Sequence, residues 1–207
     1  MKFTESPVPA RVIDILYEDE RILALHKPAG WPVHPCGGYG ENSITQELKR
    51  LRPDITALPL HRLDRLTSGV LLFTKRADIA AELSAMLATG DEKKVKKIYI
   101  ARVLGNFKKA VTIQTFIKCV DPRVGVYATC DQSTARDSQA KWSVTDFQPI
   151  IHMADETIVQ CQPLTGRTHQ IRVHLQHAGY PIVNDPCYGS GLVTATEICL
   201  HAWQYSI

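Results

Sequence analysis

The sequence predicts an α+β fold built on one mostly antiparallel sheet, and three observations carry that expectation. The chain is 207 residues, long enough for one sizeable core, with 44% hydrophobic and 22% charged residues, the balance of a globular domain. Five β-rich runs follow one another between residues 97 and 162, each bounded by turn residues, as in a meander. Helical periodicity occurs only in three short stretches and never alternates regularly with strands, which disfavours a parallel doubly wound or barrel fold.

Each element has a local reason. Residues 11–17 and 21–26 are β-rich and flank Glu18-Asp19-Glu20, so they predict a hairpin. Lys27-Pro28-Ala29-Gly30 ends the second strand, and residues 31–40 are a Pro/Gly-rich loop. Asn42 or Ser43 caps a helix with Ile44, Leu48 and Leu51 as its apolar face, ended by Pro53. Residues 69–74 form a continuous apolar run, expected as a buried central strand. Ile79, Leu83, Met86 and Leu87 mark a second helix, with Gly90 as its stop. The meander strands are expected at 97–104, 110–120, 124–129, 139–146 and 157–162. A helix over about 168–178 follows, with Ile171, Leu175 and Ala178 inward and Gly179 closing it. A last strand is expected at 197–205. The sequence stops at Ile207 without a cap or polar tail, which reads as a shortened C-terminus.

Composition removes several function classes. No run approaches the 18 apolar residues of a membrane span, and the first residues carry no apolar signal core. Six scattered cysteines without a C-x-x-C pair read as reduced thiols of a cytoplasmic protein. Neither G-x-G-x-x-G nor G-x-x-x-x-G-K-[ST] is present, so dinucleotide and P-loop chemistry lack support. Net charge is only +3, yet basic residues cluster. Lys93, Lys94, Lys96, Lys97, Arg102, Lys108 and Lys109 form a run without an acid, and residues 49–76 hold seven more cations against Asp54 and Asp64. Such runs are ordinarily solvated faces; the sharper reading is a track along a phosphate backbone.

Two segments carry more polar chemistry than packing needs. One is 61–69, where His61, Arg62, Asp64, Arg65, Thr67 and Ser68 crowd a loop entering the core. The other is 164–174, with Arg167 near a helix start, where orphan N–H groups and the helix dipole favour an anion. A carboxylate nucleophile must be ionised and shielded, and a buried arginine beside it meets both needs. Asp64 with Arg167 is the candidate pair, with a buried bridge that merely orders the core as the alternative. On this reading Arg167 is expected to be buried, its fork on the Asp64 carboxylate. His169, His174 and His177 do not share one helix face, so no metal is expected. His61 next to Asp64 suggests acid–base work or, more simply, structural hydrogen bonds. Tyr99, among lysines, is either a core aromatic or a stacking platform for a base.

At these residues the sequence resembles the RluA-type pseudouridine synthases. His61-Arg62-Leu63-Asp64-Arg65-Leu66-Thr67-Ser68-Gly69 is similar to the family signature. Tyr17-Glu18-Asp19-Glu20, Lys27-Pro28-Ala29-Gly30 and Val33-His34-Pro35 resemble its opening, and Lys97-Ile98-Tyr99-Ile100-Ala101 with Gly105 its second motif. Residues 164–174, then 181–185 and Tyr188-Gly189, resemble its third motif, and Leu200-His201-Ala202 its closing strand. The resemblance implies a single catalytic domain, 1–207, on a mixed, mainly antiparallel bent sheet with flanking helices, and a site in a basic cleft. No S4-type RNA-binding domain is visible. It implies conversion of uridine to pseudouridine in RNA by a monomer, without cofactor or metal. Asp64 is then the catalytic aspartate, Tyr99 the stacking residue and base, and Arg167 the ion-pair partner. Arg62 helps displace the flipped base, Ile171 packs near the uracil, and His61 and Thr67 complete the expected RNA contacts. The segment Val33-His34-Pro35-Cys36-Gly37-Gly38-Tyr39 with Asn42-Ser43 is similar to the eukaryotic tRNA-modifying branch, which implies a uridine in the anticodon stem-loop, with rRNA the next substrate. The alternative is a catalytically silent RNA-binding module on the same scaffold.

Overall fold

Within each of the chain's two units the strands pair antiparallel. The computed structural model describes residues 5–89, 95–136, 139–189 and 196–207. The chain divides after Thr89 into two compact units, the second running to Ser206, with Ile207 counted in the first.

The first unit opens with the expected hairpin, β1 (Asp14–Glu18) and β2 (Ile22–Lys27), turned by Asp19, whose carboxylate accepts from the N–H groups of Arg21 and Ile22. The apolar run becomes β4 (Ser68–Thr74), pairing with β2 from Ile22↔Thr74 to Lys27↔Gly69. That register sets Lys27 against the end of the 61–69 loop. A two-residue strand, β3 (Leu58–Pro59), also pairs with β4. Leu23, Leu25, Leu71 and Phe73 are fully buried, with Ile44 and Leu48 of α1 (Ile44–Leu51). Ser43 stands at the N-cap of α1 but makes no side-chain cap; its hydroxyl donates to the Gly40 carbonyl instead. Leu51, expected on the apolar face, is 54% exposed, since it falls in the last turn before Pro53. In α2 (Ala77–Thr89) Ile79 and Leu83 are buried and Met86 and Leu87 partly so. The expected stop at Gly90, and Lys93 and Lys94 of the basic run, lie outside the described residues.

The second unit is a six-stranded antiparallel sheet in the order β10-β5-β9-β8-β6-β7. Its strands are β5 (Lys96–Leu104), β6 (Val111–Asp121), β7 (Val126–Cys130), β8 (Lys141–His152), β9 (Glu156–Pro163) and β10 (Leu200–Ser206). Strand β8 runs six residues past the expected Asp146, because Pro149 sits where the register shifts between Pro149 and Ile151, and a bulge tolerates its missing N–H. A single turn, α3 (Gln132–Ala135), is capped by Asp131. The helix α4 (Gln170–His177) packs against β6, β7, β8 and β9. It starts two residues later than the periodicity suggests, because His169 adopts φ +56°, left-handed backbone that interrupts the helical path. The His169 ring holds that conformation, Nδ1 lying 2.7 Å from the Tyr188 hydroxyl. Gly179, at φ +83°, ends α4 as expected.

Candidate active site

The loop 61–67 of the first unit is anchored on both sides of Asp64 by side chains that must leave water, Leu63 and Leu66. Its backbone is pinned at Arg65, whose carbonyl accepts from Gly30 N at 2.8 Å and from Lys27 Nζ at 3.1 Å. The Thr67 N–H donates to the Asp64 carbonyl at 3.1 Å and closes a turn around the aspartate. Lys27 is fully buried, and its Nζ also donates to the carbonyls of Pro28 and Trp31, at 2.9 and 2.7 Å. Burial pushes the Lys27 pKa down to about 7, opposed by the charge of Asp64 and assisted by that of Arg65. Three carbonyl oxygens nevertheless match the three donors of an ammonium. Asp64 itself is half-buried, a carboxyl presented from a fixed loop.

The neighbours of Asp64 differ in what they do. Arg62 is exposed. Arg65 lies over the Tyr39 ring, 5.6 Å from its centroid. His61 accepts a hydrogen bond from the Leu72 N–H at Nε2, 3.2 Å, so the simpler of its two readings, a structural one, has a partner. Thr67 is buried, and its hydroxyl has no hydrogen-bond partner among the described residues.

In the second unit Tyr99 stands on β5, opposite Ala202 of β10 and Cys161 of β9. Its hydroxyl meets that of Tyr205 at 2.5 Å. Ile171 is buried in the first turn of α4. The burial expected of Arg167 is not found. Arg167 is exposed in the turn before α4, and its Nε donates to the Trp142 carbonyl at 3.0 Å. The left-handed His169 keeps this turn outside the helix. The buried guanidinium of the segment is Arg172, 3% exposed, with Nε and Nη2 on the two oxygens of the fully buried Asp185 at 2.7 and 2.9 Å. The Tyr188 ring covers it at 4.9 Å. Asp185 accepts further from the N–H groups of Cys187 and Tyr188. The three histidines of this region have separate partners: His169 on Tyr188, His174 on Ser143 and His177 on Thr129.

Sequence reasoning passed over Lys27, Arg172 and Tyr205. A signal for Arg172 was available: with Ile171 and Leu175 inward, residue 172 lies three before 175 on the same helix face.

Residues 21–177 match the RNA pseudouridylate synthase family, and the chain belongs to that family. It is 40% identical over 195 residues to the mitochondrial tRNA pseudouridine(32) synthase of Saccharomyces cerevisiae, covering 94% of this chain and 41% of that one. It is 41% identical to the human pseudouridylate synthase RPUSD2, covering 90% of this chain and 32% of that one. The yeast tRNA pseudouridine(31) synthase is 39% identical, with 92% and 50% covered. The chain thus spans half or less of the length of these curated relatives. Among solved structures, human RNA Pseudouridylate Synthase Domain Containing 1 superposes with a TM-score of 0.76 at 25% identity, over 97% of this chain and 80% of that one.

Proposed function

We propose that the protein isomerises uridine to pseudouridine in RNA, with tRNA as its substrate and the anticodon stem-loop as its target region. The observation that carries this is the Asp64 loop: a half-buried carboxyl, pinned through the Arg65 carbonyl by Lys27 and Gly30, in a chain of this family. Two yeast relatives are named for tRNA pseudouridines 31 and 32, which supports the substrate class.

The reaction breaks the N1–C1′ bond, turns the uracil and joins C5 to C1′; C5 gives up its proton and N1 gains one. Asp64 is the catalytic carboxylate and is regenerated unchanged at the end of the reaction, and Tyr99 stacks on the uracil and removes the C5 proton. Extruding the uridine costs a few kcal/mol, less in a loop, and exposed Arg62 serves that step. Thr67 belongs to the RNA contacts through the resemblance, and its hydroxyl is buried in the free protein. Ile171 packs beside the base. We assign the arginine role to Arg172 rather than Arg167, because a guanidinium that stabilises a shielded carboxylate has to be buried itself. The protein acts as a monomer in the cytoplasm on this reading; one relative carries a mitochondrial name, so imaging of the tagged protein is the check.

The test is release of tritium from RNA labelled at uridine C5, with carbodiimide mapping of the product. Asp64→Asn should abolish release while changing RNA affinity by less than about 1.4 kcal/mol, a factor of ten. Release by Asp64→Asn at the wild-type rate, or no pseudouridine in any RNA offered to wild type, overturns the reading.

A further inference from the structure

A surface pocket of about 430 Å3 lies wholly within the second unit, formed by β6, β7, the start of β8 and the turn before α4. Its lining includes three cations, Lys118, Lys141 and Arg167, with Thr168, Ile117 and Tyr127. No carboxylate lines it among the described residues. The β6–β8 register sets Lys141 opposite Ile117, one residue from Lys118, and Arg167 is tethered through Nε to the carbonyl of Trp142, the residue after Lys141. Pairing and this tether hold Lys141 and Arg167 together, and Lys118, whose side chain leaves β6 on the alternate face, lines the pocket from its edge. Asp131 feels Lys118, but its carboxylate is committed as the cap of α3, accepting from Thr134 N at 2.8 Å and Ser133 Oγ at 2.7 Å. Lys97 of β5 is half-buried, and its pKa is lowered, first by burial and then by the charge of Arg167. Like charges thus face one another here without an acid between them.

We propose that this pocket holds a backbone phosphate of the RNA substrate, from a nucleotide flanking the one that is isomerised. The inference rests on the RNA reading above and adds a subsite to it. Sideways along the sheet, β6 is three strands from β5 and Tyr99, about 14 Å at roughly 4.8 Å per strand, too far for the same nucleotide. The volume exceeds that of a bare phosphate and lies in the range of nucleotide-sized pockets. A lining that mixes cations with an apolar and an aromatic side chain suits a sugar–phosphate unit, which presents both anionic oxygens and a carbon skeleton. Binding there releases counterions from the RNA, so it shows in the salt dependence of affinity.

The test uses the whole chain, a tRNA transcript, and the double variant Lys118→Gln/Lys141→Gln, at one half-buried and one exposed lysine. With two of the three cations neutralised, the slope of log affinity against log salt should fall in magnitude by about 1–2, and affinity at about 0.1 M salt by roughly fivefold or more. The single-turnover rate at saturating RNA should stay within about twofold, because the pocket is not where the bond changes. The double variant Arg11→Gln/Arg123→Gln removes the same charge elsewhere and should move affinity far less. Cys119 also lines the pocket and is exposed, so its alkylation, read by peptide mass, gives a local probe. Bound tRNA should slow it; polyglutamate at equal charge should not. Unchanged affinity and slope in the lysine variant, unprotected Cys119, or equal protection by polyglutamate overturns the proposal. Wild-type protein that binds tRNA and protects Cys119 yet forms no pseudouridine overturns the activity reading and leaves the pocket standing.

Discussion

The hydroxyls of Tyr99 and Tyr205 lie 2.5 Å apart, with their rings edge to face at 6.2 Å. The register explains the meeting. Tyr205 pairs with Lys97 and Ala202 with Tyr99, a bulge between Ala202 and Gln204 taking up the odd residue, so the two tyrosines are diagonal neighbours on antiparallel strands. Burial, and then Tyr99, raise the Tyr205 pKa well above that of an ordinary phenol, so Tyr205 stays protonated at neutral pH and fixes where the Tyr99 oxygen points. Tyr205→Phe should therefore lower the single-turnover rate severalfold while RNA affinity stays put. In unfolding experiments the pair Tyr99→Phe and Tyr205→Phe should be non-additive by about 0.5–1.5 kcal/mol. Additive effects, or a wild-type rate in Tyr205→Phe, would remove Tyr205 from the positioning of Tyr99.

Arg172 and Arg167 should separate cleanly in stability. Arg172→Met strands the buried Asp185 carboxylate and should cost about 3–5 kcal/mol in urea unfolding. Adding Asp185→Leu should return part of that loss, since the uncompensated charge is gone, but should not return activity if Arg172 has the arginine role. Arg167→Met, at an exposed turn, should leave the urea midpoint unchanged. An Arg172→Met protein as stable as wild type would mean that the Arg172–Asp185 bridge contributes nothing to the fold.

The contrast between these arginines shows what the sequence can and cannot carry. Alternation over 97–104 and the apolar run at 69–74 specify strands because a period of two, or continuous burial, survives any tertiary arrangement. The order of strands in the second unit is not local: β5 pairs with β9 and β10, more than 50 residues downstream. Spacing alone could not rank Arg167 against Arg172. The ranking depends on where α4 begins, and one left-handed residue, His169, held by Tyr188, moves that start. Lys27 was invisible for another reason: lysines are almost always exposed, and only the carbonyls of Pro28, Trp31 and Arg65 make its burial tolerable.

His174 should make the protein acid-sensitive. It is fully buried, with Nε2 at 2.9 Å from Ser143 Oγ. The Ser143 proton goes to the Thr115 carbonyl at 2.6 Å, so the ring is the donor to Ser143 and Nδ1 is a bare acceptor. Burial, and then the charge of His177, push its pKa down to about 4 from 6.5. The unfolded chain therefore takes up this proton first as pH falls, and stability is lost between pH 6.5 and about 4, by at most about 1.4 kcal/mol per unit. His174→Phe has nothing to protonate and packs beside Phe147. The difference in urea stability between wild type and His174→Phe should thus shrink or reverse against wild type as pH is lowered through that window. A difference independent of pH would mean that His174 is protonated in the folded protein.

Lys27 gives a window of the same sign at higher pH. Its folded pKa, about 7, lies below the unfolded 10.5 because burial penalises the ammonium. Between those values the unfolded chain holds a proton that the folded one has released, so stability rises with pH from about 7 to 10.5 and is flat below. Relative to Lys27→Met, wild type should gain up to about 1.4 kcal/mol per pH unit in that range, measured by urea unfolding from about pH 7 upward. The same substitution leaves the carbonyls of Pro28, Trp31 and Arg65 without their donor. It thereby loosens the loop that presents Asp64, so the single-turnover rate should fall at neutral pH with RNA affinity unchanged. If the rate survives in a folded Lys27→Met protein, the Gly30–Arg65 hydrogen bond alone suffices to hold the aspartate loop. If the stability difference does not rise above about pH 7, the three carbonyls and Asp64 keep Lys27 charged against its burial.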